Sequence, residues 1–259
     1  MNLDLTGKTA VVCGSTQGIG KAAAIELASL GANIILVARN EAKLKAVAAE
    51  LPHSERHTYL SADFSNPAEL DQKFNAFIAD KPVNILINNT GGPAGGPVNT
   101  AEPEEFINAF NMHLICNHIM VQAVRDKMKA AGYGRIINVI STSVKQPLPN
   151  LGVSNTVRGA VANWSKTLAN ELGQFNITVN NVLPGATDTV RLKSIIENKS
   201  SKTGQTTDTI QEEMANASPM KRIAQPEEVA NAIAFLASPA ASYINGINVP
   251  VDGGRTKSL

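Results

Sequence analysis

Apolar residues in this chain fall into short, dense runs, separated by longer stretches in which they recur at helical spacing. The runs Lys8 to Cys13, Asn33 to Ala38, His57 to Ser61, Asn84 to Asn88, Arg135 to Ser141, Ile177 to Leu183 and Ile247 to Val251 predict seven strands. Several are apolar without a break, as in Ile34-Ile35-Leu36-Val37, the pattern required of a strand covered on both faces. Helices are predicted between them over Gly18 to Leu30, Glu41 to Leu51, Pro67 to Asp80, Pro103 to Ala131, Ser154 to Phe175 and Pro226 to Ala237. Pro67 and Pro226 mark two of the starts, because the first N–H of a helix has no partner within it. This alternation runs the length of the chain without a linker. It predicts a single α/β domain with a parallel, doubly wound sheet and helices on both faces.

Two stretches depart from the pattern. The helix from Pro103 is about twice the ordinary length and carries Phe106, Phe110, Leu114 and Met120. With the long helix from Ser154 it offers more apolar surface than one sheet covers, so a homo-oligomer, dimer or tetramer, is expected. Ala186 to Ser218, rich in Lys, Ser, Thr, Asn and Gln, is far longer than a usual connection and reads as a mobile lid over a substrate.

Composition narrows the function classes. With 259 residues, 43% of them apolar, the chain can bury a large core. A net charge of +1 gives no reason to expect a nucleic-acid or acidic-lipid partner. No run approaches the roughly 18 apolar residues that span a bilayer. Met1 to Thr9 has neither a basic start nor an apolar core, so a cytoplasmic protein is expected. Cys13 and Cys116 lie far apart with no metal-ligand spacing, which fits packing residues rather than a disulfide framework or zinc site.

Chemistry enters directly after the first strand, at Gly14-Ser15-Thr16-Gln17-Gly18-Ile19-Gly20. Glycine there lets the backbone approach a pyrophosphate and lets the helix pack closely on the strand, while the helix N-terminus presents free N–H groups to the anion. The end of the second strand reads Val37-Ala38-Arg39-Asn40, with no carboxylate to bind an adenosine ribose. Arg39 offers a planar fork for a 2′-phosphate, so NADP(H) is preferred and NAD(H) remains open. A solvated surface charge is the alternative reading of Arg39.

These residues, with Ala62-Asp63-Phe64, Asn88-Asn89-Thr90-Gly91, Arg135-Ile136-Ile137-Asn138, Ser141, Asn180-x3-Pro184-Gly185, Pro219-x2-Arg222 and Val251-Asp252-Gly253-Gly254, resemble the short-chain dehydrogenase/reductase family along essentially the whole chain. A subset of that family, called oxoacyl-carrier-protein reductase-like, is similar at Ser143 to Pro147 and Ser154 to Arg158. The resemblance implies one Rossmann domain that binds NAD(P), commonly as a tetramer. It implies that Asp63 and Phe64 border the adenine, Asn89, Thr90 and Gly91 the adenine-ribose region, and Pro184, Gly185, Thr187 and Thr189 the nicotinamide end.

The family's chemistry rests on Asn, Ser, Tyr and Lys, and here the match fails. Ser141 occupies the serine position, but Ser154 stands where tyrosine is expected, Arg158 where lysine is expected and His113 where asparagine is expected. An aliphatic hydroxyl is a far weaker acid than a phenol, and a guanidinium does not give up its proton. His113 is left as the group expected to titrate near neutrality, which suggests that it delivers a proton while Ser141 and Ser154 bind a carbonyl oxygen; the alternative is a satisfied, partly buried histidine. Three functions are compatible: an NADP(H)-dependent oxidoreductase for a small carbonyl or alcohol substrate with an atypical site, a non-catalytic nucleotide-binding subunit or sensor able to partner an active relative, and, disfavoured by the retained glycine loop, a lyase.

Overall fold

The computed structural model describes residues 1–258. In chain order the elements are β1 (Thr9–Cys13), α1 (Gly18–Ser29), β2 (Asn33–Ala38), α2 (Glu41–Glu50), β3 (Thr58–Ser61), α3 (Pro67–Ile78), β4 (Ile85–Asn88), α4 (Pro103–Phe110), α5 (Cys116–Ala131), β5 (Gly134–Val139), α6 (Gly152–Leu172), β6 (Ile177–Pro184), α7 (Val190–Thr203), α8 (Thr207–Asn216), α9 (Pro226–Ala237) and β7 (Asn248–Val251). The strands form one sheet in the order β3-β2-β1-β4-β5-β6-β7, and every pairing is parallel. This is the predicted doubly wound α/β architecture.

Strand alternation explains the two layers. In β1, Ala10 and Val12 join Ala23, Leu27, Leu44, Ile233 and Ala234, the buried faces of α1, α2 and α9. Val11 and Cys13 point the other way, onto Leu70, Phe74, Val124, Met128 and Leu168 of α3, α5 and α6. Each fully buried aliphatic side chain contributes about 1.5–3 kcal/mol of burial free energy, which holds the three-layer stack together.

Three differences from the sequence expectation have local causes. The helix predicted from Pro103 to Ala131 is helical throughout, but residues Asn111–Ile115 form a wider π turn between α4 and α5. The segment from Ala186 to Ser218 is mostly helical: Thr189 and Thr206 cap α7 and α8 by accepting from the N–H groups of Leu192 and Thr209. Its apolar residues are sparse, yet Leu192, Ile196 and Ile210 form a small buried cluster of their own. β5 ends at Val139 rather than Ser141, whose Oγ accepts from the Ser143 N–H and turns the chain.

Across four strands the sheet carries a row of amides in register. Asn88 donates to Asn138 at 2.8 Å, Asn138 to Asn181 at 3.1 Å and to Ser165 Oγ at 2.9 Å, and Asn181 to Asn248 at 2.8 Å. The register Asn88–Asn138–Asn181–Asn248 places one amide per strand. This network ties the sheet together, and its first member, Asn88, is the last residue of β4, directly ahead of the Asn89–Gly91 loop.

Candidate active site

The direction in which successive strands are added to the sheet reverses between β1 and β4, and in an open parallel sheet the carboxyl ends of the strands at that point are where a ligand cleft lies. The chain leaves β1 through Gly14 and Gly18, at φ +60° and +52°, conformations that favour glycine. A Cβ on Gly14 would collide with the Asn89 carbonyl, and one on Gly20 with the Gly14 carbonyl. One on Gly18 would come within 2.9 Å of the Thr189 methyl group. The three glycines thus let β1, the end of β4 and the starts of α1 and α7 converge. Gln17 makes no side-chain cap on α1, and the first turn holds no acidic residue, so its N–H groups and dipole are open to an anion.

Around this turn several side chains are committed to structure. Ser15 is fully buried with its hydroxyl on the Val37 carbonyl at 3.4 Å, which leaves only its backbone for a ligand. Thr16 and Ile19 are half-buried beside the exposed Gln17. The Asn89 amide donates to the carbonyls of Cys13 and Gly14, stapling β4 to the turn. Asn40 caps α2, Asp63 accepts from the Ser65 N–H, and Phe64 buries its ring in the core, so Phe64 cannot border an adenine with its side chain. Arg39 is exposed, and its guanidinium makes no ion pair or hydrogen bond among the described residues. Gly91 has open space where its Cβ would stand. At the other wall, Pro184 ends β6, Gly185 donates to Val251, Thr187 is buried and Thr189 caps α7. A free helix N-terminus, an unpaired Arg39 and an open floor fit a dinucleotide carrying phosphates.

The second half of the cleft holds the departures. Ser141 lies at the carboxyl end of β5, and its hydroxyl hydrogen is free to donate because Oγ already accepts from Ser143. Ser154 is half-buried in the first turn of α6. One turn further, Arg158 is 7% exposed and donates through Nη1 to the Val139 carbonyl at 3.2 Å. Burial first, then the nearby Arg191 charge, pull it down to about 10, so it is a cation at neutral pH.

His113 sits in the π turn, 1% exposed, with Nδ1 2.7 Å from the Thr90 hydroxyl and Nε2 without a partner. Desolvation, reinforced by Arg158 and Arg191, pushes it down to about 2. The ring is therefore neutral across the physiological range, which corrects the expectation that it titrates near neutrality and hands over a proton. Position along the chain could not reveal this, because the depression comes from burial and from two cations brought in by other elements.

No tyrosine reaches the cleft among the described residues. Tyr133 precedes β5 and donates to the Ala237 carbonyl, Tyr59 lies on β3, and Tyr243 is exposed ahead of β7. The residue missed from sequence is Arg191. It stands in the first turn of α7 and reaches across to donate to the Pro93 carbonyl at 2.6 Å. Recognising Thr189 as a helix cap was the signal that could have placed it.

Comparison with known proteins follows from this geometry. A family described as enoyl-(acyl carrier protein) reductase matches residues 14–256. The chain is 32% identical over 264 residues to the NADPH-dependent reductase BacG of Bacillus subtilis, covering 98% of this chain and 100% of that one. It is 31% identical over 261 residues to the 7alpha-hydroxysteroid dehydrogenase of Escherichia coli K12, covering 100% and 98%. Among solved structures it is similar to L-sorbose reductase from Gluconobacter frateurii, solved with NADPH and L-sorbose, at 32% identity and a TM-score of 0.93 over the full length of both.

Proposed function

The chain belongs to the short-chain dehydrogenase/reductase family, an oxidoreductase family, and from that premise we propose that it interconverts a carbonyl and an alcohol with NADP(H) through an atypical catalytic group. The observation that carries the reading is the uncapped, acid-free start of α1 beside the unpaired Arg39. The backbone from Gly14 to Gly20 would hold the diphosphate, and Arg39 the adenosine 2′-phosphate, with Asn40 capping the helix behind it. Asp63, Asn89, Thr90 and Gly91 line the adenosine side, and Pro184, Gly185, Thr187 and Thr189 the nicotinamide side. The NADPH dependence of BacG and the NADPH in the L-sorbose reductase structure support the same cofactor.

When bound, the nicotinamide supplies or accepts a hydride. Ser141 and Ser154 donate hydrogen bonds to the substrate oxygen, and Arg158 stabilises the negative charge that grows on it during reduction. The proton reaches that oxygen from water relayed by the Ser154 hydroxyl, since no group beside it titrates near neutrality. His113, hydrogen-bonded to Thr90, acts as a positioning residue for the β4 loop. Residues 186–218, carrying α7 and α8, close over the substrate. Ile107 and Phe110 of α4, 51% and 40% exposed, belong to the interface of a homo-oligomer.

A second reading, a nucleotide-binding subunit without turnover, is favoured by the neutral His113 and by an Arg158 that keeps its proton at neutral pH. Titration with NADPH and NADH separates these ideas. NADPH is expected to bind more tightly, and Arg39→Ala to weaken NADPH by about 10–100-fold while sparing NADH. Absence of saturable binding of either nucleotide overturns both readings. Consumption of NADPH by wild type over a ketone panel supports the enzyme. Turnover that emerges only in Ser154→Tyr/Arg158→Lys supports the silent subunit.

A further inference from the structure

The catalytic reading uses Arg158 but gives no role to Arg191, whose guanidinium meets that of Arg158 beside Gly92 with no carboxylate between them. Arg158 comes from α6 and Arg191 from α7. A Cβ placed on Gly92 would lie 3.9 Å from Arg158 Nη2 and 3.8 Å from Arg191 Nη2, so both side chains flank the space above that glycine. Neither guanidinium appears in any ion pair among the described residues. Arg158 donates through Nη1 to Val139 and turns Nη2 to that space, while the exposed Arg191 spends one Nη2 hydrogen on the Pro93 carbonyl, and its guanidinium makes no other bond among the described residues.

Two like charges side by side, one of them almost wholly buried, are costly unless an anion accompanies them. The electrostatics record the cost. Burial and Arg191 lower Arg158 to about 10, and both arginines help to hold His113 neutral. Other arginines are more fully partnered by the fold: Arg222 pairs with Glu228 at 2.6 Å, and the buried Arg135 donates to three backbone carbonyls, whereas Arg158 has one.

We propose that Arg158 and Arg191, above Gly92, form a carboxylate site, and that the substrate class is an oxo acid and its hydroxy acid. The inference rests on the carbonyl-reductase reading of the same cleft. A carboxylate has two oxygens, one for the free edge of each guanidinium. Arg158 stands one turn from Ser154 on α6 and donates to Val139, two residues before Ser141, so an acid held by it would carry its carbonyl toward those hydroxyls. Gly92 faces both forks, and a Cβ there would touch each at no more than ordinary contact distance, so the glycine marks the space between them. Arg191 already ties α7 to the loop at Pro93, so the site has one wall from each.

The test is calorimetric titration of the full-length protein, with and without saturating NADPH, using 2-oxobutyrate, acetoacetate and levulinate, each matched with its methyl ester. At least one acid is expected to bind tenfold or more tightly than its ester. Arg191→Ala should abolish that preference, Arg191→Lys should retain part of it, and NADPH affinity should change by less than twofold in either variant. Equal binding of acids and esters across all three pairs overturns the proposal. So does an Arg191→Ala variant that loses NADPH affinity as strongly as it loses the acid, since the arginines would then serve the dinucleotide. The cofactor reading fails separately, in the NADPH titration without acid. Acid binding that survives there upholds the carboxylate site.

Discussion

His113 shows how far a side chain's chemistry can move from its reference value. A free imidazole titrates near 6.5, but this one is buried, hydrogen-bonded to Thr90 and flanked by two cations, which push it down to about 2. The folded state thus binds fewer protons than the unfolded chain below pH 6.5, so the stability gained from a neutral His113 is complete above that pH and declines as pH falls toward the folded value. About 2 kcal/mol should be lost between pH 7 and pH 5 through this residue, read as the difference in urea denaturation between wild type and His113→Asn. An equal pH slope in the two proteins would show that the ring is not held neutral. Ser154 and Arg158 could be singled out from the sequence because the family resemblance implies a tyrosine and a lysine at those spacings from Ser141. The Thr90–His113 pair and the meeting of Arg158 with Arg191 were not, because no spacing rule relates residues on different elements that only the fold brings together.

Elements divide in the same way. The strands were readable because burial on both faces demands continuous apolar runs, and α1, α3 and α9 because their starts carry glycine or proline signals. α7 and α8 were not, since a polar helix that packs mainly on its neighbour needs few apolar positions, and Leu192, Ile196 and Ile210 suffice. The π turn at Asn111–Ile115 was invisible for another reason. Inserting one residue into a helical turn leaves composition unchanged, and here it carries His113 on the buried side. The amide row across β4, β5, β6 and β7 is the element-scale test. Asn138→Leu would strand the Asn88 amide and the Asn181 carbonyl oxygen, so a loss of about 2–4 kcal/mol in chemical denaturation is expected, with the NADPH site weakened because the loops above it lose their base. A near-neutral effect would show that the network contributes little.

At the scale of the molecule, α4 leaves Ile107 and Phe110 outward while the sheet faces are already covered. Wild type is expected to sediment as a dimer or tetramer, and Ile107→Glu/Phe110→Glu as a smaller species with the same far-UV spectrum, because a carboxylate in an apolar contact must be desolvated without a partner. Sedimentation of wild type as a monomer, or of both proteins alike, would remove α4 from any interface. By itself the sequence determined the alternation of strand and helix and the glycine turn after β1, since each is encoded in local order and spacing. Tertiary structure alone decided that Ser15 and Phe64 turn inward, that His113 loses its charge and that two arginines face one another above Gly92. Desolvation and Coulomb forces act through space, and distance in space is what folding creates.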